Sequence, residues 1–303
     1  MTNNLRMIFI LAAIGLVLGC AVTSFAQTDS IESLTAAIEK EPSNADLYSK
    51  RGDLYAGLWG VDKNTEKIVS IARAAADYSK YIKLKPNSAD IYRKRAAARY
   101  ELFLGSNTFS IADLQKAVQL NPKDEESKAK IAQFQIDYQQ MYRTSKCVDS
   151  RITNGFQGHP NDEPLTHLAG YLDSEMSETN TDALKAIACG ANVNYVYKKS
   201  RDPEFANFDY YLIEHLIAML EAGADINSRD KSDNTPLMLT LDSLFKLKSK
   251  IDDQMLERLK IAVQYGANLN AKNRKGQSVL ALARKTKNTE LINLLQNAGA
   301  KIM

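Results

Sequence analysis

Three histidines, three cysteines and a few adjacent carboxylates are the residues of this chain whose chemistry could amount to a site. His159 and His167 flank Asp162 and Glu163, a set that could be read as a metal site. Together with His215 they show none of the close, regular spacings of metal ligands, and a loop histidine beside solvated acids is the commoner meaning of such a set. Asp252-Asp253 is a carboxylate pair where a helix should begin, and acids there complement the helix dipole. Gly-x-Ser-x-Gly, a phosphate-binding loop and His-Glu-x-x-His do not occur in the sequence. The chain is therefore not expected to be an enzyme, and no catalytic residue, metal ligand or cofactor is expected.

The cysteines must be read with the N-terminus. Arg6 precedes an apolar run, Met7 to Leu18, that is too short to span a membrane. Ser24-Phe25-Ala26 then supplies the small residues of a signal-peptidase site, so residues 1–26 are expected to be an export signal cleaved before Gln27. Val17-Leu18-Gly19-Cys20 resembles a bacterial lipobox, which would instead leave Cys20 lipidated at the new N-terminus. Either route places the protein in the periplasm or on a membrane facing it. Cys147 and Cys189 remain as an even pair in an oxidising compartment and are expected to form a disulfide; two buried free thiols are the alternative.

The mature part, roughly 277 residues, suggests two domains. Basic and acidic residues number 39 and 36, a net charge of +3. That near balance gives no footprint for nucleic acid.

The elements that would carry any site are helical. Residues 29–143 have amphipathic spacing, interrupted by Pro42, Pro86 and Pro122 in matching contexts: Glu41-Pro42-Ser43-Asn44, Lys85-Pro86-Asn87-Ser88 and Asn121-Pro122-Lys123-Asp124. Proline cannot continue a helix, so each marks a turn. The helices that follow repeat aromatic, small, aromatic: Tyr48, Gly52 and Tyr55, then Tyr92, Ala96 and Tyr100. The small residue lets a neighbouring helix pack close. Ala74, Tyr78 and Tyr81, and later Leu114 and Ala117, share a helical face before the next proline. This order resembles the tetratricopeptide repeat, with an initial half repeat, two full repeats and a closing helix near 124–143. About ten extra residues around Trp59 to Ile71 depart from the family pattern. The resemblance implies a groove lined by the first helix of each hairpin, where Ser49, Asp53, Arg93, Ala97 and Tyr100 would face a ligand. These do not form the lysine and asparagine clamp that holds a peptide carboxylate.

The second half has another period. Gly190-Ala191-Asn192-Val193-Asn194, Gly223-Ala224-Asp225-Ile226-Asn227, Gly266-Ala267-Asn268-Leu269-Asn270 and Gly299-Ala300-Lys301-Ile302 recur at steps of 33, 43 and 33 residues. Before each glycine a helix carries apolar or small residues on one face: Leu216 and Met219, Leu259 and Ala262, Ile292 and Leu295. The glycine is expected to be a left-handed C-cap. With Thr235-Pro236-Leu237 these strings resemble ankyrin repeats over residues 162–303, with insertions near Ser174 to Asn180 and Leu241 to Asp253. In this family His167 lies close to a histidine used for internal hydrogen bonds. The turn-rich stretch 144–161, with Asn154, Gly155, Gly158 and Pro160, is expected to connect the two arrays.

The expected architecture is all-α, built of two helical-repeat solenoids: signal 1–26, tetratricopeptide-like domain 27–143, connector 144–161 and ankyrin array 162–303 with finger loops. Stacked repeats present extended surfaces and seldom build a catalytic pocket. The expected function is an exported adaptor or scaffold of the cell envelope that binds a protein or peptide. An inhibitor or immunity-type protein that blocks a dedicated enzyme is the alternative, and a cryptic hydrolase at the junction of the arrays is a more distant one. The finger loops are basic, with Lys198, Lys199, Arg201, Arg229, Lys231, Lys272, Arg274 and Lys275, so the partner could be acidic. Tyr195, Tyr197, Phe205 and Phe208, part of a run that continues to Tyr210 and Tyr211, are expected anchors, with Lys198, Lys199, Arg229 and Arg274 steering. About half of the aromatic run is expected in the inter-repeat core. The groove of Ser49, Asp53, Arg93 and Tyr100 ranks second. Contact with a membrane is expected only through the lipid at Cys20.

Overall fold

The computed structural model describes residues 29–58, 65–103, 105, 107–143, 184, 187–188, 193–194, 205, 208 and 211–301. Among the described residues the fold is all-α: the helices are α1 (Ile31–Lys40), α2 (Ala45–Gly57), α3 (Thr65–Leu84), α4 (Ala89–Leu102), α5 (Thr108–Leu120) and α6 (Glu125–Arg143), then α7 (Ile213–Glu221), α8 (Pro236–Leu247), α9 (Asp253–Gln264), α10 (Val279–Lys285) and α11 (Thr289–Asn297). The extended pairing among these residues is a single bridge between Lys272 and Ser278.

Helices α1 to α6 pack each on the next, and Pro42, Pro86 and Pro122 fall in the turns between α1 and α2, α3 and α4, and α5 and α6. Ser30, Ser88 and Asn107 cap α1, α4 and α5 by accepting from the backbone N–H three residues on. Such caps satisfy donors that the helix itself leaves free. Gly52 on α2 faces Tyr78 of α3, and a Cβ there would sit 2.8 Å from Tyr78 Cε1. The small residue between two aromatics thus permits the close approach expected of it. Part of the insertion near Trp59 to Ile71 extends α3, which runs for 20 residues.

In the second half the glycine strings end helices in one repeated way. Gly223, Gly266 and Gly299 have φ of 92°, 94° and 101°. In each copy the following alanine donates to the carbonyl five residues back: Ala224 to Met219, Ala267 to Ala262 and Ala300 to Leu295. This is a Schellman closure, which needs the left-handed conformation. At Gly223 an added Cβ would meet no atom within 4 Å, so only backbone strain opposes it. Gly223→Ala is expected to destabilise by about 1–2 kcal/mol, measured by urea denaturation, and an unchanged midpoint would refute the strain.

The asparagine four residues after Gly190, Gly223 and Gly266 bonds to the next string. Asn194 donates to Gly223 O (2.8 Å) and accepts from Asp225 N (2.8 Å). Asn227 does the same with Gly266 O and Asn268 N, and Asn270 with Gly299 O and Lys301 N. The result is a ladder of side-chain rungs joining successive units.

Helix α7 is buried at every position, including Glu214, His215 and Glu221. A helix apolar nearly all round must be enclosed, and α7 is enclosed by α3 of the first half and α9 of the second. Ile71, Ala72 and Ala76 of α3 and Leu102 and Phe103 at the end of α4 belong to the same apolar core as Leu216, Leu237, Leu259, Leu280 and Leu295. The two halves therefore share one core. Tyr78, Ile91 and Ala98 anchor a smaller cluster within the first half.

Candidate functional site

Three of the five side chains expected in the first groove, Arg93, Ala97 and Tyr100, are brought together at one place. Helices α4, α5 and α6 line an open pocket of about 150 Å³ with Arg93, Ala96, Ala97, Tyr100 and Glu101, Leu114, and Ser127, Lys130 and Phe134 respectively. The Tyr100 and Phe134 rings stack with centroids 4.5 Å apart, an arrangement that leaves both half-buried. Arg93 is held at the rim: Nη2 donates to Asp90 Oδ1 (2.9 Å) and Nη1 to Asp124 Oδ2 (3.4 Å). Asp124 is held in turn, because its carboxylate accepts from Ser127 N and Oγ at the start of α6. Those two bonds hold its carboxyl below the ordinary value, helped by the charge of Arg93. The pocket thus sets two stacked aromatic rings beside Arg93 and Lys130, the latter donating to Glu126 Oε1 (2.7 Å). Stacked rings accept apolar or planar groups, and guanidinium and ammonium groups beside them accept carboxylates.

Asp53 lies exposed on α2 and accepts from Tyr78 Oη (2.9 Å) and Lys94 Nζ (2.9 Å). Ser49 is half-buried on the same helix. These two residues sit beside the pocket's lining rather than in it. Glu101, Lys130 and Phe134 were not named from sequence. Their signal was faint: Lys130 and Phe134 are four apart on α6, so they share a face that a closing helix would otherwise leave plain.

In the second half two of the four expected aromatic anchors are buried. Phe205 is 1% exposed and Phe208 fully buried, so neither can anchor a partner. They belong to the core with Tyr211. The chain beside them is tied down as well: Phe208 N donates to Thr240 Oγ1 (3.2 Å), and Ser228 Oγ donates to Phe205 O (3.3 Å). Arg229 and Arg274 are exposed but bridge neighbouring loops. Arg229 Nη1 donates to the carbonyls of Asp233 and Lys272, and Arg274 Nε to Asp233 Oδ2 (3.1 Å). Tyr195, Tyr197, Lys198 and Lys199 lie outside the described residues, as do the signal 1–26 with Cys20, the connector 144–161, Cys147, Cys189, His159 and His167. Asp252 caps α9 by accepting from Met255 N (2.9 Å), as expected of a helix-start acid.

The junction between the halves carries an ionic network that no sequence motif announces. Arg99 on α4 donates through Nε to Glu221 Oε2 (2.7 Å) at the end of α7, and through Nη1 to Asp113 Oδ2 (3.0 Å). Arg95 holds the same Asp113 with two bonds of 2.9 and 2.6 Å and donates to Ser79 Oγ (3.0 Å). Tyr265 donates its hydroxyl proton to Glu221 Oε1. Burial raises the Glu221 carboxyl, but the Arg99 and Arg95 charges outweigh burial and leave it below its ordinary value. Both of its oxygens are engaged and its side chain is 1% exposed, so it is positioned as a fastening rather than as a group that meets a substrate.

Further along the junction, Arg73 forms a two-bonded pair with Glu257 (2.7 and 2.7 Å). Asp77, gripped by Arg51 at 2.7 and 2.8 Å, accepts from Gln264 Nε2 at 3.3 Å. Burial pushes the Asp77 carboxyl above its ordinary value even so.

No group of three or more His, Cys, Asp or Glu among the described residues could hold a metal ion, and no described helix is long and apolar enough to cross a membrane. No protein-family profile and no curated protein matches the sequence.

Proposed function

We propose that this protein is a binding scaffold of the cell envelope whose main recognition site is the α4–α6 pocket, and that it holds a protein or peptide segment there. The observation that carries this reading is the pocket itself: a Tyr100–Phe134 stack with Arg93 and Lys130 beside it, on rigid helices. Aromatic and arginine side chains are the usual centres of binding energy, and a helix-borne site loses little freedom when it is filled. The likeness of the first half to tetratricopeptide repeats, and of the second to ankyrin repeats, favours the same class of work. The N-terminal Arg6, apolar run and Ser24-Phe25-Ala26 support export.

A photo-reactive side chain in place of Ala97, exposed in the pocket, tests this in cross-linked cells against one in place of Lys275 on a finger. The partner is expected to be captured from position 97. Capture from position 275 alone would move the site to the fingers. With the captured partner in hand, Arg93→Ala, Tyr100→Ala and Phe134→Ala are each expected to weaken binding by about 2 kcal/mol, with intact folding checked by circular dichroism. Normal affinity in all three would overturn the assignment.

A further inference from the structure

The insertion near Leu241 to Asp253 builds a feature that the adaptor reading does not use. Residues Phe245 to Lys250 are six consecutive exposed positions at the end of α8. Phe245 is 43% and Leu247 60% exposed, two of the five large apolar side chains left exposed among the described residues. They alternate with Lys246, Lys248 and Lys250 in the string Phe-Lys-Leu-Lys-Ser-Lys. The turn is closed by its own backbone: Lys248 adopts φ 52°, its N–H donates to Phe245 O, and Ser249 N donates to Leu244 O (3.1 Å). The end of α10 adjoins it, with Lys285 Nζ 5.7 Å from the centroid of the Phe245 ring. Arg284 and Lys287 are exposed beside Lys285. Three carboxylates lie along the same segments. Asp242 pairs with Lys246 (2.7 Å), Asp252 caps α9, and Asp253 stands in its first turn. Cations therefore outnumber acids by six to three at this tip.

We propose that this tip is a docking site for an anionic phospholipid surface. A protruding turn cannot enclose a peptide, but it can set an aromatic and an aliphatic side chain into the headgroup layer of a membrane. Large apolar side chains left exposed beside one another mark such contacts. Lysines between them can extend along the apolar boundary while their ammonium groups stay among lipid phosphates. The cationic excess matches the negative surface potential of a bilayer that carries anionic lipid. The turn is already closed by its own backbone bonds, so it docks without an ordering step. This contact is separate from any lipid at Cys20 and from the α4–α6 pocket on the first array.

The test uses the full chain with Trp59→Phe and Leu247→Trp, so that the indole at the tip is the only tryptophan. With mixed phosphatidylglycerol and phosphatidylcholine vesicles, its emission is expected to shift to the blue and to be quenched by lipids brominated on the acyl chain. Pure phosphatidylcholine should give a much weaker response. Adding Lys246→Gln, Lys248→Gln and Lys250→Gln is expected to reduce the association constant by about 100-fold, a factor of about five for each lysine. These side chains are exposed, so the helical circular dichroism spectrum should not change. An indole that stays in water while the chain sediments with anionic vesicles through another segment overturns the proposal, as does a failure to bind those vesicles at all. A blue shift with polyglutamate and none with vesicles would assign the tip to an acidic polypeptide instead.

Discussion

Glu221→Ala is expected to destabilise this protein by about 3–5 kcal/mol. The reason lies in what remains. Arg99, 11% exposed in its side chain, would keep its charge at the junction with Asp113 alone to answer it, and Asp113 is already bound by Arg95. The Tyr265 hydroxyl would lose its acceptor. Urea denaturation followed by circular dichroism measures the loss. Replacing both partners, Arg99→Met with Glu221→Leu, should restore much of it, because an apolar pair of similar volume leaves no buried charge behind. A double variant as unstable as Glu221→Ala would show that shape rather than charge balance holds the junction.

The pH dependence has a definite sign. Glu221 has a lowered folded pKa, so its contribution is present above the ordinary carboxylate value and is lost as pH falls through the lowered one. Asp77, raised by burial, acts in the opposite sense and favours the folded state as the solution becomes acidic. Glu221→Gln should therefore leave a shallower acid loss of stability than the natural chain shows.

Phe208→Ala is expected to cost about 3–5 kcal/mol, and Phe205→Ala a similar amount. Both rings are buried against the second array's core, and their removal leaves cavities that the surrounding α-helices can only partly close. Arg274→Ala, at an exposed position, should change stability by no more than about 0.5 kcal/mol. Thermal unfolding of the three variants checks the order. If Phe208→Ala unfolds with the natural chain while it loses a partner, the ring is an anchor after all.

That contrast marks where sequence reading worked. The left-handed glycines, the prolines in turns, the small residue facing Tyr78 and the cap at Asp252 were all legible, because each depends on a few neighbouring residues and on backbone sterics. The Tyr100 and Arg93 face came instead from the resemblance to tetratricopeptide repeats, which places the first helix of each hairpin along a groove. The fate of Phe205 and Phe208 was not. An aromatic residue reads the same whether it faces solvent or a neighbouring unit, and only the packing of the second array decides which. The Arg99–Glu221 pair was invisible for a different reason: its members lie in segments of different period, and arginine and glutamate are common on helices. The ladder could have been found, since asparagine stands four residues after glycine in the Gly190, Gly223 and Gly266 strings.

The junction also bears on how such a chain can change over generations. Repeat proteins commonly lengthen or shorten by duplicating or deleting one unit, since each unit touches only its neighbours. Here two fastenings, Arg99 with Glu221 and Arg73 with Glu257, join the halves at different points along both. A unit inserted between Glu221 and Glu257 would carry one carboxylate away from its arginine while leaving the other in place. The halves then could not both stay in register. The number of units between those fastenings is thus locked, and variation is free to accumulate beyond them, at the outer end of α6 and in the units that follow α9.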